Sequence, residues 1–303
     1  MNEQNDLAQA IVSIHRARLG LPLAQAVHFE YSNDQLVYRC AKQACLTLGF
    51  IAIDAEVLAQ AWQASVARTG QFSPKDWPAH PADFGMSAWP RSQAFAPCPR
   101  QLGLYAVLPD AAWVGRMAKA GVPTVQLRFK SDDARAVQSE IRSAVAAVQG
   151  TSSLLFINDH WQAAIVAGAY GVHLGQEDLA QADMQSIRSA GLRLGLSSHG
   201  YAEMLYADSF SPSYIAMGAV FPTTLKRMAT AAQGTGRLTA YATLMRDYPL
   251  VAIGGIDAGS MKEVLASGVG SIAVVRALVA AGQPEIVATE FQAQMQMLLA
   301  LGP

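Results

Sequence analysis

Residues 154–179 read LLFINDHWQAAIVAGAYGVHLGQEDL, and this stretch decides the architecture of the chain. Two apolar runs, Leu154–Ile157 and Gly171–Leu174, stop abruptly at polar residues: Asn158-Asp159 after the first, Gln176-Glu177-Asp178 after the second. Between them, Trp161–Ala169 has the length and apolar content of a short helix. Strand, helix, strand is a βαβ unit, and its right-handed crossover brings both strand ends to one edge of a parallel sheet. Asp159 and Asp178 then lie on neighbouring ends, where two carboxylates can share one hard cation. Mg²⁺ suits such a pair, because it takes one or two protein carboxylates and completes its shell with water and phosphate oxygens. The same residues also read as N-caps of the helices that follow them.

Outward from this unit the pattern repeats. Strand-like runs fall at 102–108, 124–129, 153–157, 171–174, 192–197, 214–220, 250–256 and 271–275. Helix-like stretches separate them: Ala111–Ala120, Asp132–Val148, Trp161–Ala169, Leu179–Ala190, Tyr201–Asp208, Arg237–Arg246, Ser260–Ala266 and Pro284–Leu299. The strands are apolar throughout instead of alternating, as fully buried parallel strands are. Eight βα units predict an α/β fold of the (β/α)₈ barrel type over 101–303. A doubly wound open sheet is the rival, but its Gly-rich first turn is missing where strand one meets Pro109-Asp110.

Such a barrel carries its chemistry at the C-terminal strand ends, and polar residues gather there. Gln126, Arg128 and Lys130 alternate on strand two and so point to one side. Two inward cations need an anionic ligand or carboxylate partners. Further ends carry Asn158-Asp159, Gln176 and Asp178, Ser197-Ser198-His199, the loop with Thr223, Thr224 and Lys226, Gly254-Gly255, and Val275-Arg276. Gly254 and Gly255 let a ligand approach the backbone, and the loops after strands seven and eight are a common phosphate site. Two anion sites follow, one there and one around strands two to four with Lys226. They fit two phosphorylated small-molecule substrates, one a metal-binding pyrophosphate whose departure is eased by Mg²⁺ and cationic side chains. His173, inside an apolar strand, reads as a hydrogen-bonded core histidine.

The rest of the composition narrows the field. With 22 Lys and Arg against 23 Asp and Glu, the net charge of −1 gives no footprint for nucleic acid or an anionic membrane. Cys40, Cys45 and Cys98 form neither an even framework nor a zinc spacing, which reads as reduced thiols in a cytoplasmic protein. No charged-then-apolar leader and no membrane-length apolar run is present in the sequence. Residues 1–70 have helical periodicity, with Leu7, Ile11 and Ile14 on one face and Leu36 and Cys40 on another. Residues 71–100 concentrate prolines with Trp77, Phe84 and Trp89, a linker whose aromatic rings dock on something. Packing on the barrel, a contact between copies in a homo-oligomer, and a degenerate second domain all stay open for the first hundred residues.

The motifs QLRFK (126–130), FIND (156–159), GVHLGQEDL (171–179), GLSSH (195–199), GAVFPTTLK (218–226) and VAIGGI (251–256) resemble thiamine phosphate synthase, in order and spacing, over about 101–280. The resemblance implies a (β/α)₈ transferase that joins hydroxymethylpyrimidine diphosphate to a thiazole phosphate. Pyrophosphate leaves first, and the thiazole nitrogen attacks the resulting electron-poor methylene. It also implies that Gln126, Arg128, Lys130, Asn158, Ser197 and Lys226 contact the pyrimidine diphosphate, with Arg128, Lys130, Lys226 and Ser197 as the catalytic set. Asp159 and Asp178 correspond to the Mg²⁺ ligands. Thr223, Thr224, Gly255 and Val275 correspond to the thiazole-phosphate site. The chain departs from the family pattern at Leu225, where a threonine is expected, and at Arg276, where a serine is common. A guanidinium at 276 has two readings: a stronger phosphate contact in place of the lost hydroxyl, or a partner for an acidic side chain. Two other readings use the same barrel. A TenI-like thiazole tautomerase would use His199 for proton transfer, and a non-catalytic thiamine-phosphate sensor would use the N-terminal segment as its output surface.

Overall fold

The computed structural model describes residues 3–22, 29–223 and 230–300. Eight parallel strands close into a barrel in sequential order: β1 Gly103–Leu108, β2 Thr124–Leu127, β3 Leu154–Asn158, β4 Gly171–Leu174, β5 Arg193–Ser198, β6 Tyr214–Met217, β7 Leu250–Ile253 and β8 Ser271–Val274. The ring is shut by β1 against β8, with Gly103 opposite Ser271 and Ala106 opposite Val274. Among the described residues three α-helices precede it: α1 Glu3–Leu19, α2 Leu36–Thr47 and α3 Ala52–Thr69. The barrel's helices are α4 Ala111–Lys119, α5 Ala134–Ala147, α6 Trp161–Ala167, α7 Met184–Ser189, α8 Tyr201–Ser209, α9 Gly234–Leu244, α10 Met261–Leu265, α11 Arg276–Val279 and α12 Pro284–Ala300.

Local chemistry fixes several of these boundaries. Asp110 caps α4 by accepting from Trp113 N at 2.8 Å, and Asp133 caps α5 by accepting from Arg135 N at 2.8 Å. α7 starts later than the Leu179–Ala190 reading, because the Asp183 carboxylate takes the Gln185 and Ser186 N–H groups, each at 3.0 Å. The ends of β2, β6 and β7 also come earlier than expected. β6 stops at Met217 and β7 at Ile253, where Gly254 (φ 106°) and Gly255 (φ 66°) turn the chain. α11 was not expected from the sequence at all.

Inside the barrel lies a compact layer of rings. Tyr105, Phe156 and Tyr214 are buried together with Leu102, Val107, Ala216, Val251 and Ala273. Two glycines make room for the rings, since a Cβ on Gly171 would meet Phe156 at 2.4 Å and one on Gly195 would meet Tyr214 at 2.1 Å. Below this layer the N-terminal strand ends are closed by residues 95–102. Phe95 N donates to Ser211 O at 3.0 Å, Ser213 Oγ to Ala96 O at 2.6 Å, and Leu102 N to Ser271 Oγ at 2.8 Å.

The preceding helices pack directly on the barrel wall, α1 against α9 and α3 against α8. On α1 the buried face is Ala8, Ile11, Val12, His15 and Leu19, so Ile14 is turned outward at 43% exposure, against the sequence reading. Leu36 at the start of α2 is likewise exposed. The proline-rich segment, irregular apart from a 3₁₀ turn at Pro81–Phe84, lies between this helical unit and the barrel. Trp77 stacks on Phe50 with ring centroids 5.7 Å apart and donates its Nε1–H to Tyr201 Oη at 2.9 Å. Phe84 stacks on the same Tyr201 with an interplanar angle of 9°. Among the described residues, no helix is long and apolar enough to cross a membrane.

Candidate active site

A cavity of about 900 Å³ opens at the C-terminal ends of the strands. Of the residues expected there, Gln126, Arg128, Lys130, Asn158, Asp159, Asp178, Ser197, Thr223, Gly255, Val275 and Arg276 all line it. Thr224, Leu225 and Lys226 lie outside the described residues. The three β2-derived side chains converge although the strand ends at Leu127, because Arg128 N still donates to Leu108 O at 2.8 Å and keeps the pleat going.

The acidic pair has a distinctive geometry. Asp159 holds φ at 62°, a left-handed conformation uncommon outside glycine. Its N–H donates to His173 O at 3.0 Å and its C=O accepts from Trp161 N at 2.8 Å. Lys130 Nζ donates to Asp159 Oδ2 at 2.9 Å. Asp178 sits opposite: burial and then the negative charge of Asp159 push its carboxyl above the usual aspartate range. Neither residue is a helix cap. α6 is entered through His160, and α7 begins only after Asp183, while Asp178 Oδ2 accepts from Gly175 N at 3.1 Å. Like charges forced together at strand ends fit a divalent cation between them. Among the described residues no group of three or more His, Cys, Asp and Glu side chains is arranged around a metal position. A cation here would therefore take two protein carboxylates and fill its shell from water and ligand oxygens, as Mg²⁺ does.

The cavity floor is a continuous hydrogen-bonded chain. Gln126 Nε2 donates to Tyr105 Oη at 2.9 Å, and Tyr105 Oη lies 2.7 Å from Tyr214 Oη. Tyr214 Oη is 2.7 Å from His173 Nδ1, and His173 Nε2 is 2.8 Å from Ser197 Oγ. Burial raises both phenols above the ordinary tyrosine value, so both keep their protons. His173 is thus a buried, hydrogen-bonded histidine, and it also orients Ser197. Tyr105 and Tyr214 were missed from sequence. The available signal was a ring with a polar tip inside an otherwise apolar strand, which needs a partner when buried. His199 lines the cavity too, with its ring Nδ1 2.6 Å and its backbone N 2.8 Å from Glu203 Oε2. Gln176, outside the cavity lining, donates to Ser197 O at 2.6 Å and ties β4 to β5.

On the opposite rim the glycine pair has a second reason besides its positive φ. A Cβ on Gly254 would meet Ala219 at 2.6 Å, and one on Gly255 would meet Pro222 O at 2.7 Å. Both line the cavity and both let the 219–222 backbone close against β7, where Phe221 N donates to Gly254 O at 2.9 Å. Val275 and Arg276 enter from β8 at the start of α11.

Comparison with known proteins gives the family of the barrel. The thiamine monophosphate synthase family model matches residues 104–278. A thiamine-phosphate synthase of Neisseria meningitidis serogroup B is 55% identical over 199 residues, which are 66% of this chain and 97% of that protein. One from Cronobacter sakazakii is 52% identical over 184 residues, 61% of this chain and 88% of that protein. Among solved structures, a thiamine phosphate pyrophosphorylase from Pyrococcus furiosus superposes with a TM-score of 0.59 at 26% identity, covering 66% of this chain and 98% of that one. The family match begins at residue 104, so the three leading helices and the proline-rich segment lie outside it. From residue 104 to residue 278, and with the closed eight-stranded barrel and its strand-end constellation, this chain belongs to the thiamine monophosphate synthase family.

Proposed function

We propose that the protein is a transferase that condenses 4-amino-2-methyl-5-hydroxymethylpyrimidine diphosphate with 4-methyl-5-hydroxyethylthiazole phosphate, giving thiamine phosphate and pyrophosphate. One observation carries the reading within the cavity itself. Asp159 and Asp178 face each other beside Lys130 and Arg128 on one rim, an arrangement suited to a cation-bound diphosphate. Asp159 and Asp178 would hold Mg²⁺, which when bound would supply positive charge to the diphosphate oxygens. Lys130, 60% exposed and tethered by Asp159, and Arg128 neutralise the charge that grows on the departing group. Ser197 is oriented from below: with Tyr214 donating to His173 Nδ1, the Nε2–H donates to Ser197 Oγ and leaves the hydroxyl proton for a ligand oxygen. Gln126 and Asn158 contribute polar atoms beside them for the pyrimidine diphosphate. Thr223, Gly255, Val275 and Arg276 take the thiazole phosphate at the far rim. No side-chain nucleophile is needed, because the thiazole nitrogen supplies the electron pair and the C–O bond to pyrophosphate breaks with its electrons going to the leaving group. The three unpaired cysteines accord with a cytoplasmic enzyme.

The test is pyrophosphate release by purified protein given both substrates and Mg²⁺. Release that needs both substrates, stops with a chelator and is lost in Asp159→Ala is the expected result. Release without the thiazole phosphate would make the protein a hydrolase, and no release with tight thiamine-phosphate binding would make it a sensor. A tautomerase working through His199 would keep its activity in Asp159→Ala.

A further inference from the structure

Two glycines mark where the α1–α3 unit touches the barrel. Neither Gly200 nor Gly236 has a positive φ. A Cβ on Gly200 would lie 2.1 Å from Asp54 Oδ2, and one on Gly236 would lie 1.9 Å from the Arg18 carbonyl oxygen. Close approach by the N-terminal unit, not the turn, therefore requires glycine at both positions.

What the unit delivers at these contacts is specific. α8 begins at Gly200, which has no side chain to cap it, and Asp54 of α3 supplies the missing acceptor, taking Ala202 N at 2.9 Å. α8 follows directly on Ser197, Ser198 and His199, all of which line the cavity. At the second contact Arg237, 2% exposed, donates Nε to Leu19 O and Nη2 to Leu48 O, each at 2.9 Å, with its guanidinium 3.6 Å from the Phe50 ring centroid. Its Nη1 donates to Gln233 Oε1 at 3.0 Å, and Gln233 N donates to Ala219 O at 2.9 Å in the cavity wall. A buried guanidinium is tolerated only when its donors are met. Two of those acceptors belong to residues outside the family match.

We propose that the α1–α3 unit is a positioning element for the reaction face: Asp54 fixes the start of α8 behind Ser197 to His199, and Arg237 ties the Leu19 and Leu48 carbonyls through Gln233 to Ala219. Asp54 and Arg237 touch no substrate; they act through the segments they hold. The kinetic arm of the test rests on the synthase reading, and the exchange arm does not.

In the full-length protein, Arg237→Lys keeps the charge but not the planar three-way fork. Gln233→Leu removes the side-chain link to Arg237, along with those to Tyr241 Oη and the Ala231 carbonyl, while sparing both carbonyl contacts and the backbone bond to Ala219. Asp54→Ala removes the cap, and Asp54→Asn retains an accepting oxygen. Assayed well below their melting temperatures, Arg237→Lys, Gln233→Leu and Asp54→Ala should lower kcat about tenfold with little change in KM, as misplacement of a reacting face does. Hydrogen exchange should quicken at Ala202 in Asp54→Ala and at Val220 and Phe221 in the other two, and Asp54→Asn should restore both readouts. Folded variants with the kcat of the parent and faster exchange confined to α1–α3 would overturn the proposal. If Arg237→Lys does not fold, Gln233→Leu decides by the same readings. If the parent protein releases no pyrophosphate, the synthase reading fails and the exchange pattern alone decides this inference.

Discussion

At the scale of single residues, opposing charge effects separate activity from stability. Burial, and then repulsion between the Asp159 and Asp178 carboxylates, raise the proton affinity of Asp178. Asp178→Asn removes that repulsion. We expect turnover to fall by about two orders of magnitude, as for loss of one electrostatic stabiliser, while the melting temperature holds or rises. Parallel turnover and melting assays check both. Tyr214→Phe is the complementary case: it deletes one hydroxyl that bridges Tyr105 and His173 and leaves both partners buried. It should cost about 1–3 kcal/mol in urea unfolding. The acidic and cationic members of the site were legible in sequence because each interrupts an apolar strand at its end. The tyrosine members were not. In a strand buried on both faces, nothing in the local pattern says which side chains point into the barrel, so a tyrosine among leucines reads as packing.

The secondary-structure elements divide along a similar line. Parallel strands were legible because burial on both faces writes them as continuous apolar runs. Their C-terminal ends were less so. At β6 and β7 the apolar run continues through Val220 and Ile256, but the backbone leaves the sheet at Met217 and Ile253. The Leu179–Ala182 stretch looks helical in composition, yet Asp183 captures two amides and starts α7 five residues after Leu179. α11 spans four residues, too few for any periodicity to show. Space inside the barrel makes a sharper prediction. Gly195→Ala places a methyl within 2.1 Å of the Tyr214 ring. It should destabilise the barrel by about 1–3 kcal/mol, the usual range for overpacking, measured by chemical unfolding. It should also weaken the Tyr214–His173 contact and lower turnover beyond the loss expected from unfolding alone.

Over the whole molecule, the helical unit and the barrel share one continuous buried core. The unit also carries an acid-sensitive joint. Burial resists the charge on Glu56, but hydrogen bonds from Lys42, Tyr38, Ser32 and Gln60 outweigh it and hold its carboxyl at about 2 against an ordinary 4.5. The folded value is depressed, so the stabilisation is complete above pH 4.5 and drains away as the pH falls toward 2. At most it amounts to about 3.5 kcal/mol, at about 1.4 kcal/mol per pH unit, and solvent screening of this partly exposed carboxylate leaves less. Urea unfolding of the parent and Glu56→Gln at pH 6 and pH 3 should show the two stabilities converging at the lower pH. The far end of the barrel has a different consequence. Residues 95–102 cross the N-terminal mouth and hydrogen-bond to Ser211, Ser213 and Ser271, with the Tyr105, Phe156 and Tyr214 rings stacked above them. The chamber is a vessel stoppered at its base, so its contents are reached from the C-terminal strand ends, where the cavity opens.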